Sequence, residues 1–444
     1  MLKDFPRQAI VVASTMNTRL QYLLSLFALL ASIHHSALAQ PNHAKYMGTG
    51  SCSSSNCHGG VHPVKGLEIL GNEYYTWIKH DKHSQAYTNL QKSDAKRMAS
   101  LMGLGDPTKE PLCLKCHSTY VPDTAMRGEK FDLEDGVSCE SCHGAAERWL
   151  ESHAILGATH QQNLDKGLAD TVSLSKRATL CVSCHFGDSD KAVTHDLYGA
   201  GHPRLTFELD TYGALQPKHW LVDQDYTSRK ASYVPLVAWF AGQTRLAEGV
   251  LARLSSPEQS KNGLFPELSL FDCYSCHHSL SEEQWKLRSY GGSPGRLHLN
   301  IAPLLMLQAA LGGIDPKISE EMAPLVTALH KDYQQTGATE AIAQLRALTS
   351  ERITRLSSEL QVTPDLCQAV LRSLATFGSK VESPKFEVAE QIAMGLQATL
   401  ASSPQLAKKH GAALKKIFGA LTNSKAFNPA LFTKASEELA NAVH

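Results

Sequence analysis

Ten of the eleven cysteines in this chain form five pairs, and a histidine directly follows the second cysteine of every pair. Four pairs have the spacing Cys-x-x-Cys-His, and the first has Cys-x4-Cys-His. In a c-type haem, both thiols add to the porphyrin vinyl groups and the adjacent histidine binds the iron, which is the chemistry this spacing suits. The repeated pattern therefore predicts about five covalently attached haem c groups.

Each pair supplies two attachment cysteines and one proximal iron ligand. The five sets are Cys52, Cys57 and His58; Cys113, Cys116 and His117; Cys139, Cys142 and His143; Cys181, Cys184 and His185; and Cys273, Cys276 and His277. The first loop is longer by two residues, and its Ser and Asn residues allow it to bulge outward and still deliver both sulfurs. A disulfide beside an uninvolved histidine is the alternative at this first site.

Three other uses of paired cysteines explain the pattern less well. A zinc ribbon needs two pairs for one metal and has no need of a histidine after every second cysteine. Iron–sulfur clusters use cysteine quartets with other spacings. A disulfide framework is typical of short secreted chains and does not account for five histidines. Haem attachment is the interpretation that uses every member of the pattern.

The iron atoms also need ligands on their opposite faces. Candidates are the remaining histidines near the pairs: His43, His62, His80, His83, His153, His195, His202, His219 and His298. We expect His83, His153, His195 and His202 to be distal ligands, with His83 favoured over His80. His195 and His202 can serve the haem of Cys181 and Cys184 or a neighbouring haem. Because the candidates outnumber the irons, the sequence leaves the pairings open.

The N-terminus has the pattern of an export signal. Arg19 precedes an apolar run that ends near Ile33, and Ala37-Leu-Ala39 has the form of a signal-peptidase site. We expect residues 1–39 to be a signal peptide, with Met16 as a possible true start. An uncleaved anchor is the alternative. No later run of apolar residues is long enough to span a bilayer. Because of the export signal, the expected location is periplasmic or otherwise exported, in a bacterium.

Charge composition excludes one broad class of partner. Of 444 residues, Lys and Arg together number 43, and Asp and Glu together also number 43. A chain with this balance has no basic footprint for nucleic acid. The sequence does not indicate an oligomeric state.

The composition changes at about residue 300, where cysteine pairs end and Ala, Leu, Glu and Lys dominate. Five junctions place a helix-capping residue before proline, at Asp315, Thr363, Ser383, Ser403 and Asn428. Such junctions are typical helix starts. We therefore predict a mainly α protein with a loop-rich multihaem cytochrome c domain of closely packed haems at 40–299. A bundle of six or seven helices follows at 300–444, with Cys367 as a small buried residue.

The motifs resemble those of the multihaem cytochrome c-554 family. The resemblance rests on Gly136-Val-Ser-Cys-Glu-Ser-Cys-His-Gly144, on the stretch from Trp77 to Tyr87, and on Ala200-Gly-His-Pro-Arg-Leu205. It covers roughly residues 45–300, and relatives of that family include hydroxylamine oxidoreductase and pentahaem nitrite reductase. The resemblance implies closely stacked haem pairs, mostly bis-histidine iron, and periplasmic electron transfer. Two departures are the Cys-x4-Cys-His site and a fifth site where the founding cytochrome has four.

Two functions follow from this interpretation. The first is a non-enzymatic electron carrier between redox proteins such as cytochromes, quinol-linked donors or terminal reductases. The alternative is a haem oxidoreductase acting on a small nitrogen or sulfur compound, which requires one iron with an open face. Nitrite reductases of this superfamily commonly mark that haem with Cys-x-x-Cys-Lys, whereas all five motifs here end in histidine.

Overall fold

The chain folds mainly into α-helices, as predicted, with one two-stranded sheet among the described residues. The structure, a computed structural model, describes residues 44–63, 69–230, 233–263, 265–273, 276–277, 297–332, 336–381, 385–422 and 427–443. The expected signal peptide and the candidate ligand His43 lie outside these residues. Closely packed haems stay a prediction of the fold class.

Short helices separated by loops make up the part of the chain that carries the first four cysteine pairs. The α-helices are α1 (Glu73–His80), α2 (Ala86–Leu90), α3 (Ser93–Leu101), α4 (Pro111–His117), α5 (Cys139–His143), α6 (His160–Asp165), α7 (Leu174–His185), α8 (His195–Ala200), α9 (Leu209–Leu215) and α10 (Gln224–Arg229). Single turns of 3-10 helix are Thr49–Ser51, Lys82–Gln85, Thr124–Met126, Leu133–Asp135 and Ser152–Ala154. Helices this short are marginal alone and depend on what they pack against.

A 21-residue helix, α11 (Pro235–Ser255), follows. The sequence predicts a helix over 232–254 at this place. Strands β1 (Lys261–Asn262) and β2 (Phe265–Pro266), which pair antiparallel, come next along the chain. The 3-10 turn Leu268–Leu270 follows them. One side of α11 packs against α7, which carries Cys181 and Cys184, and another side packs against the helices beyond residue 300.

Eight α-helices lie among the described residues beyond 300, one or two more than predicted. They are α12 (Ala302–Ile314), α13 (Pro316–Asp332), α14 (Thr336–Ala347), α15 (Thr354–Glu359), α16 (Pro364–Lys380), α17 (Phe386–Ala401), α18 (Pro404–Gly419) and α19 (Pro429–Ala442). A π-helical segment, Leu348–Ile353, joins α14 to α15.

Four of these helices begin at the prolines that the capping junctions predicted: Pro316, Pro364, Pro404 and Pro429. Thr363 accepts a hydrogen bond from the Leu366 N–H, and Asn428 accepts from Ala430 and Leu431. These side chains satisfy N–H groups that a helix start leaves without partners. The fifth junction, Ser383-Pro384, lies outside the described residues.

The main apolar core combines α11 with the helices beyond residue 300. Trp239, Phe240 and Phe432 are among its largest fully buried side chains, and Cys367 is also fully buried there. Residues 46–444 form one compact unit. The division into domains at residue 300 stays a prediction. Among the described residues, no helix combines the length and apolar character needed to cross a bilayer.

Candidate haem-attachment and histidine sites

Three of the cysteine pairs occupy the C-terminal turn of an α-helix. Helices α4, α5 and α7 each end on the histidine of the motif, namely His117, His143 and His185. In a helix, side chains three and four positions apart share one face. The two thiols and the imidazole of each motif are therefore brought to one face, as attachment to a single macrocycle requires.

Gly144 has a backbone conformation that ends α5 directly after His143. Its φ is 79°, in the left-handed region where glycine is strongly favoured. A Cβ at this position would lie 2.9 Å from the Gly167 carbonyl oxygen. Glycine thus allows the chain beyond His143 to turn away closely against another loop.

The longer first motif keeps one backbone feature of the shorter ones. In the fifth motif, the His277 N–H donates to the Cys273 carbonyl at 2.8 Å, as in a helical turn. In the first motif, the His58 N–H donates to the Cys52 carbonyl at 3.2 Å, although two more residues intervene. The extra residues therefore form a local loop, closed by a 2.9 Å bond from the Cys57 N–H to the Ser54 carbonyl.

Each of the five motif histidines faces one other histidine ring. We number the sites 1 to 5 in the order of their cysteine pairs. The ring centroids are separated by 6.1 Å for His58 and His153 (site 1), 6.5 Å for His117 and His202 (site 2), 6.2 Å for His143 and His219 (site 3), 5.9 Å for His185 and His83 (site 4), and 6.4 Å for His277 and His195 (site 5).

These separations match the space that one metal ion needs between two imidazoles. A bond of about 2.0 Å from metal to nitrogen, with about 1.1 Å from that nitrogen to its ring centre, places two ligand rings about 6.2 Å apart. Rings in direct stacking contact would be closer than this. No three or more His, Cys, Asp or Glu side chains converge as a metal site within the described ranges. A haem iron needs only two protein ligands, since the porphyrin provides the other four.

All four distal histidines expected from the sequence lie opposite a motif histidine. His195 and His202 face site 5 and site 2 respectively, and neither faces the motif of Cys181 and Cys184 that precedes them. His83 takes that place, opposite His185. His80, which the sequence analysis ranked below His83, is exposed at the end of α1.

His219 is the histidine that the sequence analysis left among the unassigned candidates. It lies opposite His143 and packs edge-on against Trp220, with ring centroids 5.1 Å apart. Its only sequence signal is the motif Pro217-Lys-His-Trp220 in a stretch without a cysteine pair. Of the other candidates, His62 is exposed and His298 is half-buried, and neither lies opposite a motif histidine among the described ring contacts.

Backbone carbonyls hold the Nδ1 atoms of several facing histidines. His117 Nδ1 lies 3.0 Å from the Ala86 oxygen, His153 Nδ1 lies 3.2 Å from the Trp149 oxygen, and His202 Nδ1 lies 2.8 Å from the Pro203 oxygen. A carbonyl can only accept, so each Nδ1 carries the proton. The Nε2 atom of each ring is then the one free to bind a metal.

Two histidines are held by carboxylates instead. His58 Nδ1 lies 3.0 Å from Glu73 Oε2, and His83 Nδ1 lies 2.9 Å from Asp81 Oδ1. These hydrogen bonds raise the pKa of His58 and of His83 above the ordinary value for histidine.

Burial acts in the opposite direction on three motif histidines and on His219. It lowers the pKa of His143 and of His185 to about 4, and it lowers the pKa of His117 and His219 as well. A neutral imidazole is the form that binds a metal. These buried rings are therefore kept in the ligating form at neutral pH.

Cysteines of different motifs lie next to each other. Cys52 lies beside Cys139 and Cys116 lies beside Cys184, and in each pair the neighbouring thiol lowers one pKa and raises the other. These contacts join site 1 to site 3 and site 2 to site 4. Cys142 of site 3 also lies within electrostatic range of Cys181 of site 4, so four of the sites form a continuous series.

Glu140, between the two cysteines of site 3, connects that motif to the chain before site 1. Its carboxylate is buried and accepts hydrogen bonds from the N–H groups of Met47, Gly48 and Ala146 at 2.7–2.8 Å. A buried carboxylate needs such donors to offset its desolvation. This contact holds the segment before Cys52 against site 3.

Comparison with protein families gave a match over the first three cysteine pairs. The family model described as cytochrome c554 and c-prime matches residues 51–144, which contain the first three cysteine pairs. A search of curated proteins found no match, and a search of solved structures found none. Members of this family are c-type cytochromes with covalently bound haem. Residues 51–144, about a fifth of the chain, are therefore similar to the cytochrome c554 and c-prime family.

Proposed function

We propose that the protein is an exported electron carrier that holds five haem c groups, each with two histidine ligands. The observation that carries this proposal is the pairing of every motif histidine with one further histidine at 5.9–6.5 Å. When bound, haem c supplies a one-electron iron couple whose potential depends on the axial ligands and their surroundings. The ligands we assign opposite the motif histidines are His153, His202, His219, His83 and His195.

The cysteine contacts support transfer between haems. Because Cys52 touches Cys139 and Cys116 touches Cys184, macrocycles attached at these residues are neighbours. The proximity of Cys142 to Cys181 links the two pairs. The chain thus offers attachment points in the order site 1, site 3, site 4, site 2, which suits a path between a donor and an acceptor.

The facing histidines argue against the oxidoreductase alternative. An enzyme that binds a small nitrogen or sulfur compound at iron needs one open coordination position. Each motif histidine faces a second histidine ring, which would close the remaining coordination position of an iron held between them. Carriers need no such opening, because electrons pass through saturated, low-spin iron. The partners expected for this function are other redox proteins outside the cytoplasm.

The test combines a haem count with electron paramagnetic resonance (EPR) of the oxidised holoprotein. We expect five haems per chain by pyridine haemochrome and low-spin ferric signals without a high-spin one. Fewer than four haems would contradict the proposed haem array. A high-spin signal that shifts with cyanide or nitric oxide would favour the enzyme.

Variants at the distal positions test the assignments individually. His219→Ala should convert one low-spin haem to high-spin, because it removes the ring opposite His143, and His83→Ala should do the same at site 4. His62→Ala is the control, since His62 is exposed and faces no motif histidine in the ring contacts of the described residues. An unchanged spectrum in either distal variant would remove that histidine from the ligand set.

A further inference from the structure

The histidine pairs of sites 1, 2 and 4 differ in the charge of the group that accepts an Nδ1 proton. At site 2, both rings donate to neutral backbone carbonyls, at Ala86 and Pro203. At site 1 and site 4, one ring of each pair faces a carboxylate, Glu73 or Asp81. The chain therefore surrounds otherwise similar histidine pairs with two kinds of hydrogen-bond acceptor.

Glu73 is oriented by the backbone before it bonds His58. Its Oε1 accepts from the N–H groups of Leu70 and Gly71 at 2.9 and 3.1 Å. Its Oε2 is then directed to His58 Nδ1 at 3.0 Å. Glu73 is the first residue of α1, where a helix start also favours negative charge.

Asp81 is oriented in a similar way and is more deeply buried. Its Oδ1 accepts from both the N–H and the Nδ1 of His83, at 3.0 and 2.9 Å. Its Oδ2 accepts from the Gln216 side chain at 3.3 Å. Each carboxylate is thus fixed by independent donors and presents one oxygen to an imidazole that we assign as an iron ligand.

We propose that Glu73 and Asp81 set reduction potential, making sites 1 and 4 lower in potential than their neighbours, sites 3 and 2. A carboxylate that accepts the Nδ1 proton draws that proton away and makes the imidazole a stronger electron donor to iron. A stronger donor stabilises the oxidised iron relative to the reduced iron, which lowers the potential. A neutral carbonyl has this effect to a smaller degree. The inference rests on the proposed function, since it needs haem iron between the paired rings.

The positions of the two carboxylates also favour one direction of electron transfer between neighbouring sites. Site 1 neighbours site 3 through Cys52 and Cys139, and site 4 neighbours site 2 through Cys184 and Cys116. Each neighbouring pair therefore combines one carboxylate-held site with one site that has no such carboxylate among the described contacts. Within each pair, the energetically favourable direction of transfer is from the carboxylate-held site to its neighbour.

The variants Glu73→Gln and Asp81→Asn test this assignment by replacing the charge with an amide of the same shape. In each variant we expect one haem to be reduced more easily, with about a tenfold rise in its ferrous-to-ferric ratio at a fixed potential, or about 59 mV for one electron. The low-spin EPR signal of that haem should change while the signals of the other four stay in place.

Glu110→Gln is the matched control. Glu110 lies near Cys113 of site 2 and accepts from the Gly105 N–H at 3.0 Å, but no hydrogen bond among the described residues joins it to an assigned ligand. Removing its charge should change the ferrous-to-ferric ratio of any haem by less than threefold. An equal effect of all three variants would show that general charge, and not the bond to the ligand, sets the potential, and would overturn the inference.

A measurement on the unaltered protein covers the case in which a variant does not fold. Redox titration followed by nuclear magnetic resonance, with haem methyl signals assigned to sites, should rank site 1 below site 3 and site 4 below site 2. The opposite ranking, with five low-spin haems present, would overturn the inference and leave the carrier function standing. Missing or high-spin haems in the unaltered protein would instead contradict the proposed function.

Discussion

Two parts of the molecule bury apolar side chains to very different extents. From Pro235 onward, α11 and the later helices share one continuous core. Among the described residues, the part before it, residues 46–230, contributes its clustered buried side chains to two small clusters, and half-buried Phe186 packs against the main core. One is centred on Tyr87, Leu90 and Leu114, and the other, around Val182 and Phe207, already includes residues of α11.

The cysteines show the same contrast. Cys367, in the helical part, is fully buried among aliphatic side chains, whereas the ten motif cysteines are half-buried or exposed. A short-helix region with few apolar contacts does not bury enough surface to offset the entropy of folding. This contrast is what we expect if the first part completes its core with the covalently attached haem that we propose, while the second part supplies its own.

Removing one haem-attachment site should produce the largest difference in hydrogen-exchange protection between the two parts. In Cys139→Ser combined with Cys142→Ser, we expect loss of the site 3 haem and, because site 3 lies between sites 1 and 4, loss of protection across residues 46–230. Helices α12–α19 should stay protected. Hydrogen exchange read by mass spectrometry measures both regions in one sample.

Cys367→Ala is the control for that experiment. It should leave the haem count at five and reduce the free energy of unfolding by about 1 kcal/mol through a small cavity. If the double variant kept normal protection over 46–230, the cofactor would not be the core of the first part, and the contrast between the two parts would be wrong.

A substitution in the main apolar core tests whether the helical part is stable independently of the haem sites. Trp239 is fully buried in α11, and a Cβ placed on Gly395 would lie 2.6 Å from its ring. Trp239→Ala should lower the free energy of unfolding by about 3–5 kcal/mol without changing the low-spin haem spectrum of the folded protein. Phe265→Ala, at a side chain that is 73% exposed, should change stability by less than about 0.5 kcal/mol. Both free energies are measured by denaturant titration of the holoprotein.

The sequence predicts local features of this protein better than it predicts contacts between residues that are far apart in the chain. Haem attachment and helix starts depend on local spacing, so the cysteine pairs and the junctions at Pro316, Pro364, Pro404 and Pro429 could be read directly. The histidine pairings depend on which loops meet in space. His219 is 76 positions from its partner His143, and no local pattern marks such a contact.

The same limit applies to the environment of the ligands. Asp81 bonds His83 from two positions away, a local contact that sequence can suggest. Glu73 and His58 are 15 positions apart, and their contact depends on how α1 returns to the first motif. Glu140 holds a segment 92 positions away. The candidate ligands could therefore be named from the motifs, whereas the histidines and carboxylates that face one another could be identified only from the fold.

A buried carboxylate next to the boundary between the two parts should give the protein a pH-dependent stability. Glu208 is 1% exposed, caps α9 and accepts from the N–H groups of Asp210 and Thr211. Burial raises its pKa to about 7. The folded protein therefore binds this proton more tightly than the unfolded chain, so stability should be greatest at acidic pH and fall by roughly 3 kcal/mol as pH rises from 4.5 through 7.

Glu208→Gln keeps an oxygen for the cap and removes the titration. Its free energy of unfolding should vary less between pH 5 and pH 8 than that of the unaltered protein, with a residual slope from Asp210, whose pKa burial also raises. Denaturant titrations at the two pH values measure the difference. Equal slopes in the two proteins would show that Glu208 is not protonated near neutral pH.

The smallest expected effects distinguish the haem sites from one another without altering stability. The paired rings are nearly parallel at site 1 and site 5, with interplanar angles of 12° and 23°, and nearly perpendicular at sites 2, 3 and 4, with angles of 84–88°. Parallel imidazoles interact with the same iron d orbital and separate it from its partner, which gives a rhombic low-spin EPR signal. Perpendicular imidazoles leave the two orbitals close in energy, which gives a strongly anisotropic signal.

We therefore expect two rhombic and three strongly anisotropic ferric signals. His153→Ala should remove a rhombic signal, because it opens site 1, whereas His202→Ala should remove an anisotropic one, because it opens site 2. Each loss should appear with one high-spin haem, and the remaining four signals should be unchanged. Loss of the same signal type in both variants would contradict the ring angles, and five signals of one type would mean that the histidine pairs do not keep these orientations around iron.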